Sequence, residues 1–483
     1  MRTFTNPILP GFSPDPSICR SGDDFYIVAS SFEYFPGVPI FHSRDLVHWR
    51  QIGHVLDRPS QLPLDGVFSS GGIFAPTIRY ANGRFYMITT NTQIGCFYVW
   101  SERPEGPWSE PIPVRTSCID PSLFFDEDGT VYFTSQSNDG IQQFTIDIET
   151  GELTSERALL WSGKEGKYPE APHLYRIGGM YYLMLAEGGT ELGHMESIAR
   201  SDSPWGPFEP CPSNPILTHR HRTYDDPIQT VGHADLVEAP DGSWWAVLLG
   251  IRPVPSYPVV HHLGRETFLA PVAWENGWPI VGDLGRVCIE MKAPSLPSSP
   301  WPAPPERDNF ESLGFEWLFR GNPVPSSWSV GSDGLTLRAT GKTLDDPTGA
   351  AWVGRRQRHF DVRVSTLVDT RGEAGLCVLI DERHHYSVVV VPGRKVQVRR
   401  RVADLFATVA EASIPEGPVQ LVIQANAKTY RLGFVQEAEP HWLAEGTTRL
   451  LSTEVAGGFT GVMFGLFALA GEAKFSWFVY KPL

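Results

Sequence analysis

Short apolar runs rich in β-branched and aromatic residues recur along the first 300 residues, and each follows a tight turn. Five of them share one form: Gly22-Asp-Asp-Phe-Tyr26, Asn82-Gly-Arg-Phe-Tyr86, Asp128-Gly-Thr-Val-Tyr132, Gly178-Gly-Met-Tyr-Tyr182 and Asp241-Gly-Ser-Trp-Trp245. Their last residues lie 60, 46, 50 and 63 positions apart. A turn followed by such a run reads as an antiparallel strand. A second motif closes some of the units: Ser43-Arg-Asp-Leu-Val-His-Trp49, Ser101-Glu-Arg-Pro-Glu-Gly-Pro-Trp108 and Ser201-Asp-Ser-Pro-Trp-Gly-Pro-Phe208. Repeats of this length, each holding several short strands, are the signature of a β-propeller, and five units predict five blades.

The remainder also lacks helical periodicity. Phe360-Asp-Val-Arg-Val-Ser-Thr366, Gly375-Leu-Cys-Val-Leu-Ile380 and Val419-Gln-Leu-Val-Ile423 alternate or run apolar as half-buried strands do. They predict a β-sandwich, lectin-like in character, over residues 308–483. Between the two parts, six of the thirteen residues from Ala293 to Pro305 are proline. Such a stretch cannot enter a sheet interior and favours an extended, semi-rigid connector. The expected organisation is therefore all-β: a five-bladed propeller over 1–292, a linker over 293–307 and a jelly-roll-type sandwich over 308–483.

Composition narrows the partners. With 40 Lys and Arg against 55 Asp and Glu, the chain carries a formal charge of −15, which argues against nucleic acid and anionic membranes. No window offers the roughly 18 apolar residues of a membrane span. The six cysteines are scattered without a paired spacing, so neither a metal cage nor a redox motif is expected. The start, MRTFTNPILPGFSPDP, has no apolar leader core, which fits a cytoplasmic protein; a secreted protein whose leader had been removed would read the same. A homo-oligomer is compatible with all of this.

The repeats carry the candidate chemistry. Asp15, Phe74, Asp120, Glu170 and His233 lie 11, 12, 12, 12 and 12 residues before the last residue of their respective strand motifs. Equivalent positions in a propeller lie at equivalent radii, so these five are expected to ring the channel at one face. Each has a plainer alternative. Asp15 and Asp120 precede prolines and could hold tight bends, while His233 and Phe74 could be core. Three carboxylates in one partly dry pocket cannot all ionise normally, and repulsion with desolvation should raise at least one pKa. A general acid and a general base in one site, with no metal cluster or phosphate loop, suit glycoside hydrolysis.

These residues sit in segments that together resemble glycoside hydrolase family 43, in its two-domain β-xylosidase and α-L-arabinofuranosidase form. The segments are Asn6 to Ser17, Ser30 to Ile40, Gly71 to Arg79, Ile119 to Leu123, Pro169 to Leu174, Ala186 to Thr190 and Leu263 to Leu269. The resemblance implies an inverting mechanism in which Asp15 is the general base, Glu170 the general acid, and Asp120 tunes that acid and holds the sugar. Arg265 resembles the family's glycone-binding arginine. Phe32, Phe74, Ala75, Thr190 and His233 match pocket positions. Phe467, in Gly465-Leu-Phe-Ala468, resembles the aromatic offered by the second domain. No cofactor is implied as a requirement, although a Ca²⁺ near His233 is compatible with some relatives.

Departures from the family pattern fall on specificity. Phe74 stands where many relatives carry Trp, and Thr92-Gln-Ile-Gly-Cys-Phe-Tyr98 is unlike the commoner version. The expected activity is exo-release of xylose from xylo-oligosaccharides. The alternative is an α-L-arabinofuranosidase, or an enzyme with both activities acting on arabinose-decorated xylan fragments. A non-catalytic carbohydrate-binding protein is a more distant reading. Inversion requires the Asp15 and Glu170 carboxyls to stand roughly 6.5–9.5 Å apart.

Overall fold

The computed structural model describes residues 2–164 and 166–483. Nearly all regular structure is strand. Five antiparallel sheets follow one another along the chain. The first comprises Ser17–Ser21, Asp24–Val28, Gly37–Ser43 and Arg50–Leu56. The second runs from Thr77–Ala81 to Ile112–Pro113, the third from Ile119–Phe125 to Ala158–Leu159. The fourth runs from Glu170–Ile177 to Glu209–Pro210, and the fifth from Gln229–Glu238 to Trp278–Val281. Each of the five aromatic motifs of the sequence opens the second strand of one sheet. The first strands of the first four sheets touch in succession, the first strand of the fifth meets the fourth sheet and, through Asp235 and Leu236, its Tyr175, and it also touches the first strand of the first sheet, so the series closes as a propeller-type ring. Closure is reinforced by Thr3–Thr5, which pairs antiparallel with Glu290–Lys292. Among the described residues no helix is long and apolar enough to cross a membrane.

The second domain is a sandwich of an eight-stranded and a six-stranded sheet. Its last strand, Glu472–Pro482, pairs with Arg307–Asp308, Gly334–Arg338 and Val362–Thr370. The proline-rich connector is strapped down: Asp45 accepts from the Ser299 amide at 2.7 Å, and Trp301 donates its indole N–H to the His48 carbonyl at 3.1 Å. The two domains share structure. Phe319–Arg320 pairs with Tyr34–Phe35, and one apolar core runs from Val28, Leu62 and Leu64 into Trp317, Leu335 and Phe464. A smaller cluster of Phe12, Phe32, Tyr34, Trp352, Met463 and Phe467 lies at the junction.

Candidate active site

The site is built from irregularities at the starts of the innermost strands. Pairing slips between Ile119 and Ser122, between Glu170 and His173, and between Gly232 and Asp235. Each slip sets two residues against one, a bulge that bends the strand and re-aims a side chain. Asp120, Ala171 and His233 occupy the bulged position with φ of 49°, 51° and 51°, and Asp15 has φ of 53°. Left-handed backbone at non-glycine residues costs energy and clusters where function demands a geometry. Counting back from the paired aromatic, the structurally equivalent set is Asp15, Ala75, Asp120, Ala171 and His233, with Phe74 and Glu170 one residue earlier. The common offset of twelve merges two positions, because the fourth hairpin is one residue shorter than the third.

All of these but Ala171 face one cavity of about 120 Å³, whose lining includes Asp15, Phe32, Phe74, Ala75, Asp120, Glu170, Thr190, His194, His233 and Arg265 from the first domain and Phe459 from the second. Nine of the ten residues singled out from the sequence therefore meet there. Phe467 does not. It is fully buried on the strand Met463–Ala470, packed in the apolar cluster of the domain junction. An alternating strand can offer only one face to the pocket, and this residue faces inward. The aromatic that reaches the pocket is Phe459, in the loop before that strand. Its ring centre lies 5.9 Å from that of Phe32, near parallel at 25°, and 6.2 Å from that of Phe74 at 77°. Its backbone is fixed from the other domain on both sides: the amide donates to Ser70 Oγ at 2.8 Å, and the carbonyl accepts from Arg265 Nη2 at 3.4 Å.

Asp15 is the most constrained acid. Arg265 Nη1 donates to its Oδ1 at 2.7 Å, Ser30 Oγ donates to its Oδ2 at 2.6 Å, and His233 Nδ1 stands 3.8 Å from Oδ1. Burial alone would raise its pKa, but Arg265, followed by His233 and Ser30, outweighs burial and holds the carboxyl below its ordinary value. Glu170 is pushed up to about 7 by burial and by the charge of Asp15, against the opposing pull of Arg265. Asp120, 8% exposed, is raised well above the usual range by burial and then by Glu170 and Asp15. One cavity thus holds an ionised carboxylate and a pair that retains a proton near neutral pH, the split that acid–base catalysis needs.

Sequence reasoning passed over three participants. Ser30 sits two residues before Phe32 in a segment already singled out. Phe459 lies in a Gly-Gly-Phe stretch without period, and only its place at the domain junction reveals it. His194 is buried against the pocket, where its Nδ1–H donates to the Thr230 carbonyl at 3.0 Å and burial pushes its pKa down to about 4. His233 is lowered as well, by burial first and also by Arg265, against the opposing pull of Asp15. As for a Ca²⁺ near His233, no cluster of three or more His, Cys, Asp or Glu among the described residues could hold a metal ion. Asp15, 3.8 Å from His233 Nδ1, is already paired with Arg265.

A propeller-type ring with buried acids of divided pKa, facing a pocket the size of one sugar, defines a glycoside hydrolase. Comparison with known proteins carries this further. Residues 4–279 match the model of glycosyl hydrolases family 43, and residues 307–481 match the beta xylosidase C-terminal concanavalin A-like domain. The chain belongs to glycosyl hydrolases family 43. It is 45% identical to a non-reducing end alpha-L-arabinofuranosidase of Bacteroides ovatus, across 100% of this chain and 95% of that protein. It is 38% identical to a beta-xylosidase of Bacillus subtilis, across 76% and 74%. Among solved structures, a xylan beta-1,4-xylosidase of Bacillus halodurans is similar with a TM-score of 0.94 at 34% identity, covering 99% of this chain and 100% of that one.

Proposed function

We propose that this protein is an exo-acting, inverting pentosidase that releases xylose from the non-reducing ends of xylo-oligosaccharides. The observation that carries the reading is the small size of the cavity in which the acids meet. At about 120 Å³ it is well below the roughly 300 Å³ at which drug-sized ligand pockets begin, and Phe459 forms its second-domain wall. A volume of that size favours one terminal sugar over a chain running through.

Asp15, ionised and oriented by Arg265 and Ser30, takes a proton from water as that water attacks the anomeric carbon. Glu170 gives its proton to the glycosidic oxygen as the bond from the anomeric carbon breaks. Asp120, beside Glu170, sets how firmly that proton is held. His194 and His233 border the pocket beside Asp15 and are placed to hold sugar hydroxyls. These residues supply both proton transfers, so the reaction proposed needs no cofactor.

A second reading, α-L-arabinofuranosidase, is favoured by the full-length relative of that name at 45% identity. The two glycones can place their hydroxyls similarly, and one pocket can admit both. Rates on 4-nitrophenyl β-D-xylopyranoside and 4-nitrophenyl α-L-arabinofuranoside rank the glycones. Proton NMR of the first-formed anomer, with product profiles from a linear xylo-oligosaccharide, tests the mechanism. A retained anomer or early mid-chain fragments would defeat the proposal.

A further inference from the structure

Glu33 is fully buried, and only one of its carboxyl oxygens is bonded. Oε2 accepts from the Ser70 amide at 3.0 Å, while Oε1 has no hydrogen-bond partner among the described residues. Burial pushes its pKa up to about 7, against the opposing pulls of its own amide, Arg320 and the Ser70 amide. A buried carboxyl left half satisfied is destabilising. Glu33 follows Phe32, which lines the sugar pocket, but is itself absent from the pocket wall.

What Glu33 holds is a strained turn. Ser70 is left-handed, with φ of 65°, a conformation that costs energy in a non-glycine residue. Its amide is spent on Glu33, and its Oγ accepts from the Phe459 amide at 2.8 Å. The approach is close: a Cβ added to Gly458 would come within 2.5 Å of Ser70 Oγ. The chain just beyond the turn is fixed against the Phe32 backbone, because Phe32 and Ile73 exchange hydrogen bonds at 3.0 and 3.1 Å. The second domain grips the same turn from its own side. Ser69 Oγ donates to Glu382, and Glu382 meets the buried Arg320 at 3.6 Å. The Gly321 amide, one residue on, donates to the Glu33 carbonyl at 2.8 Å. Two carboxylates, one from each domain, therefore hold two adjacent serines, and the second serine holds the loop that carries Phe459.

We infer that Glu33 is a positioning residue for the sugar pocket: through Ser70 it sets where the Phe459 ring stands against Phe32 and the bound glycone. It acts on binding through that ring and takes no part in proton transfer. This rests on the reading of the pocket as the seat of a terminal pentose, so the test includes one measurement that needs no substrate.

The variants are Glu33→Leu, which keeps bulk and removes the acceptor, Glu33→Gln, which keeps an acceptor for the Ser70 amide, and Ser70→Gly, which removes Oγ where glycine suits the left-handed backbone. Without substrate, hydrogen exchange at the Phe459 amide should quicken several-fold in Glu33→Leu and Ser70→Gly and stay near the parent's rate in Glu33→Gln. On whichever aryl pentoside the parent turns over faster, the first two should raise KM several-fold, up to about tenfold, with kcat within about twofold, as lost uniform binding does. Glu33→Gln should restore KM. In a Phe459→Ala background, adding Glu33→Leu should leave KM unchanged, because the ring it positions is gone. The inference is overturned if the Phe459 amide keeps the parent's protection in Glu33→Leu, if kcat falls while KM holds, or if the KM effect persists in Phe459→Ala. Should Glu33→Leu fail to fold, Ser70→Gly decides, since the relay runs through that hydroxyl: the parent's exchange rate there overturns the inference. Failure of the pentosidase reading shows separately, as a parent protein that turns over neither aryl pentoside.

Discussion

Removing the charge of Arg265 while keeping most of its bulk, by Arg265→Met, should move the pH profile of the reaction in a calculable way. Arg265 Nη1 touches Asp15 Oδ1 at 2.7 Å, with both side chains under 10% exposed. Opposite charges at such contact are worth about 4 kcal/mol at an effective dielectric constant of about 20. One pKa unit corresponds to about 1.4 kcal/mol, so Asp15 should rise by about 2–3 units once the cation is gone. Burial, the first of the influences on Asp15, then acts with only His233, Ser30 and His194 against it. The acid limb of kcat/KM reports the base in the free enzyme, and that limb should climb by the same 2–3 units. Glu170, near 7, also feels Arg265, but it shapes an alkaline limb only where the leaving group needs an acid. The assay is initial rate against pH on an aryl pentoside whose leaving group needs no acid. Arg265 also contacts Thr190 and Phe459, so activity will fall at every pH, and the position of the limb is the readout. An acid limb within half a unit of the parent's, in a variant with unchanged near-ultraviolet circular dichroism, would refute the reasoning.

Glu170→Gln should lose roughly 10²–10⁴-fold on substrates with poor leaving groups and far less on nitrophenyl glycosides; equal losses on both would remove Glu170 from the acid role. Phe459→Ala should raise KM several-fold, up to about tenfold, consistent with the ~0.5–1.5 kcal/mol of an aromatic pair. Phe467→Ala should instead cost about 3–5 kcal/mol in urea unfolding with KM little changed, and the reverse pattern would restore Phe467 to the pocket. The raised pKa of Glu170 means that the folded state binds more protons than the unfolded state between about 4.5 and about 7. That contribution to stability is complete below about 4.5 and is lost as pH rises through about 7, by up to about 3 kcal/mol. Urea titrations across this range should show a decline that Glu170→Gln flattens; an unchanged slope would count against the burial of that charge.

Strand motifs announced the sheets because each aromatic turn has a local cause, the alternation of a hairpin that buries one face. The convergence of the acids was legible for a similar reason: repeats in phase place equivalent residues at equivalent radii. Fine register was not. Glu170 and Asp120 share an offset but sit at successive positions, because one hairpin is shorter and the bulge places Ala171, rather than Glu170, in the left-handed conformation. Phe459 was hidden for a different reason. It belongs to a loop whose position is set by contacts with Ser70 and Arg265, both remote in sequence. Phe467 looked plausible as an aromatic beside a glycine, yet strand alternation turned it into the junction core.

The pairing of Thr3–Thr5 with Glu290–Lys292, and of Asp15 with Arg265, bears on how the chain matures on the ribosome. The carboxylate is synthesised early and its guanidinium 250 residues later, a delay of some tens of seconds at about 5–20 residues per second. Through that interval the segment that bears the acid has neither its closing neighbour nor a counter-ion. Before the fifth sheet emerges there is no competent pocket, because Arg265 and the closing strand have yet to be made.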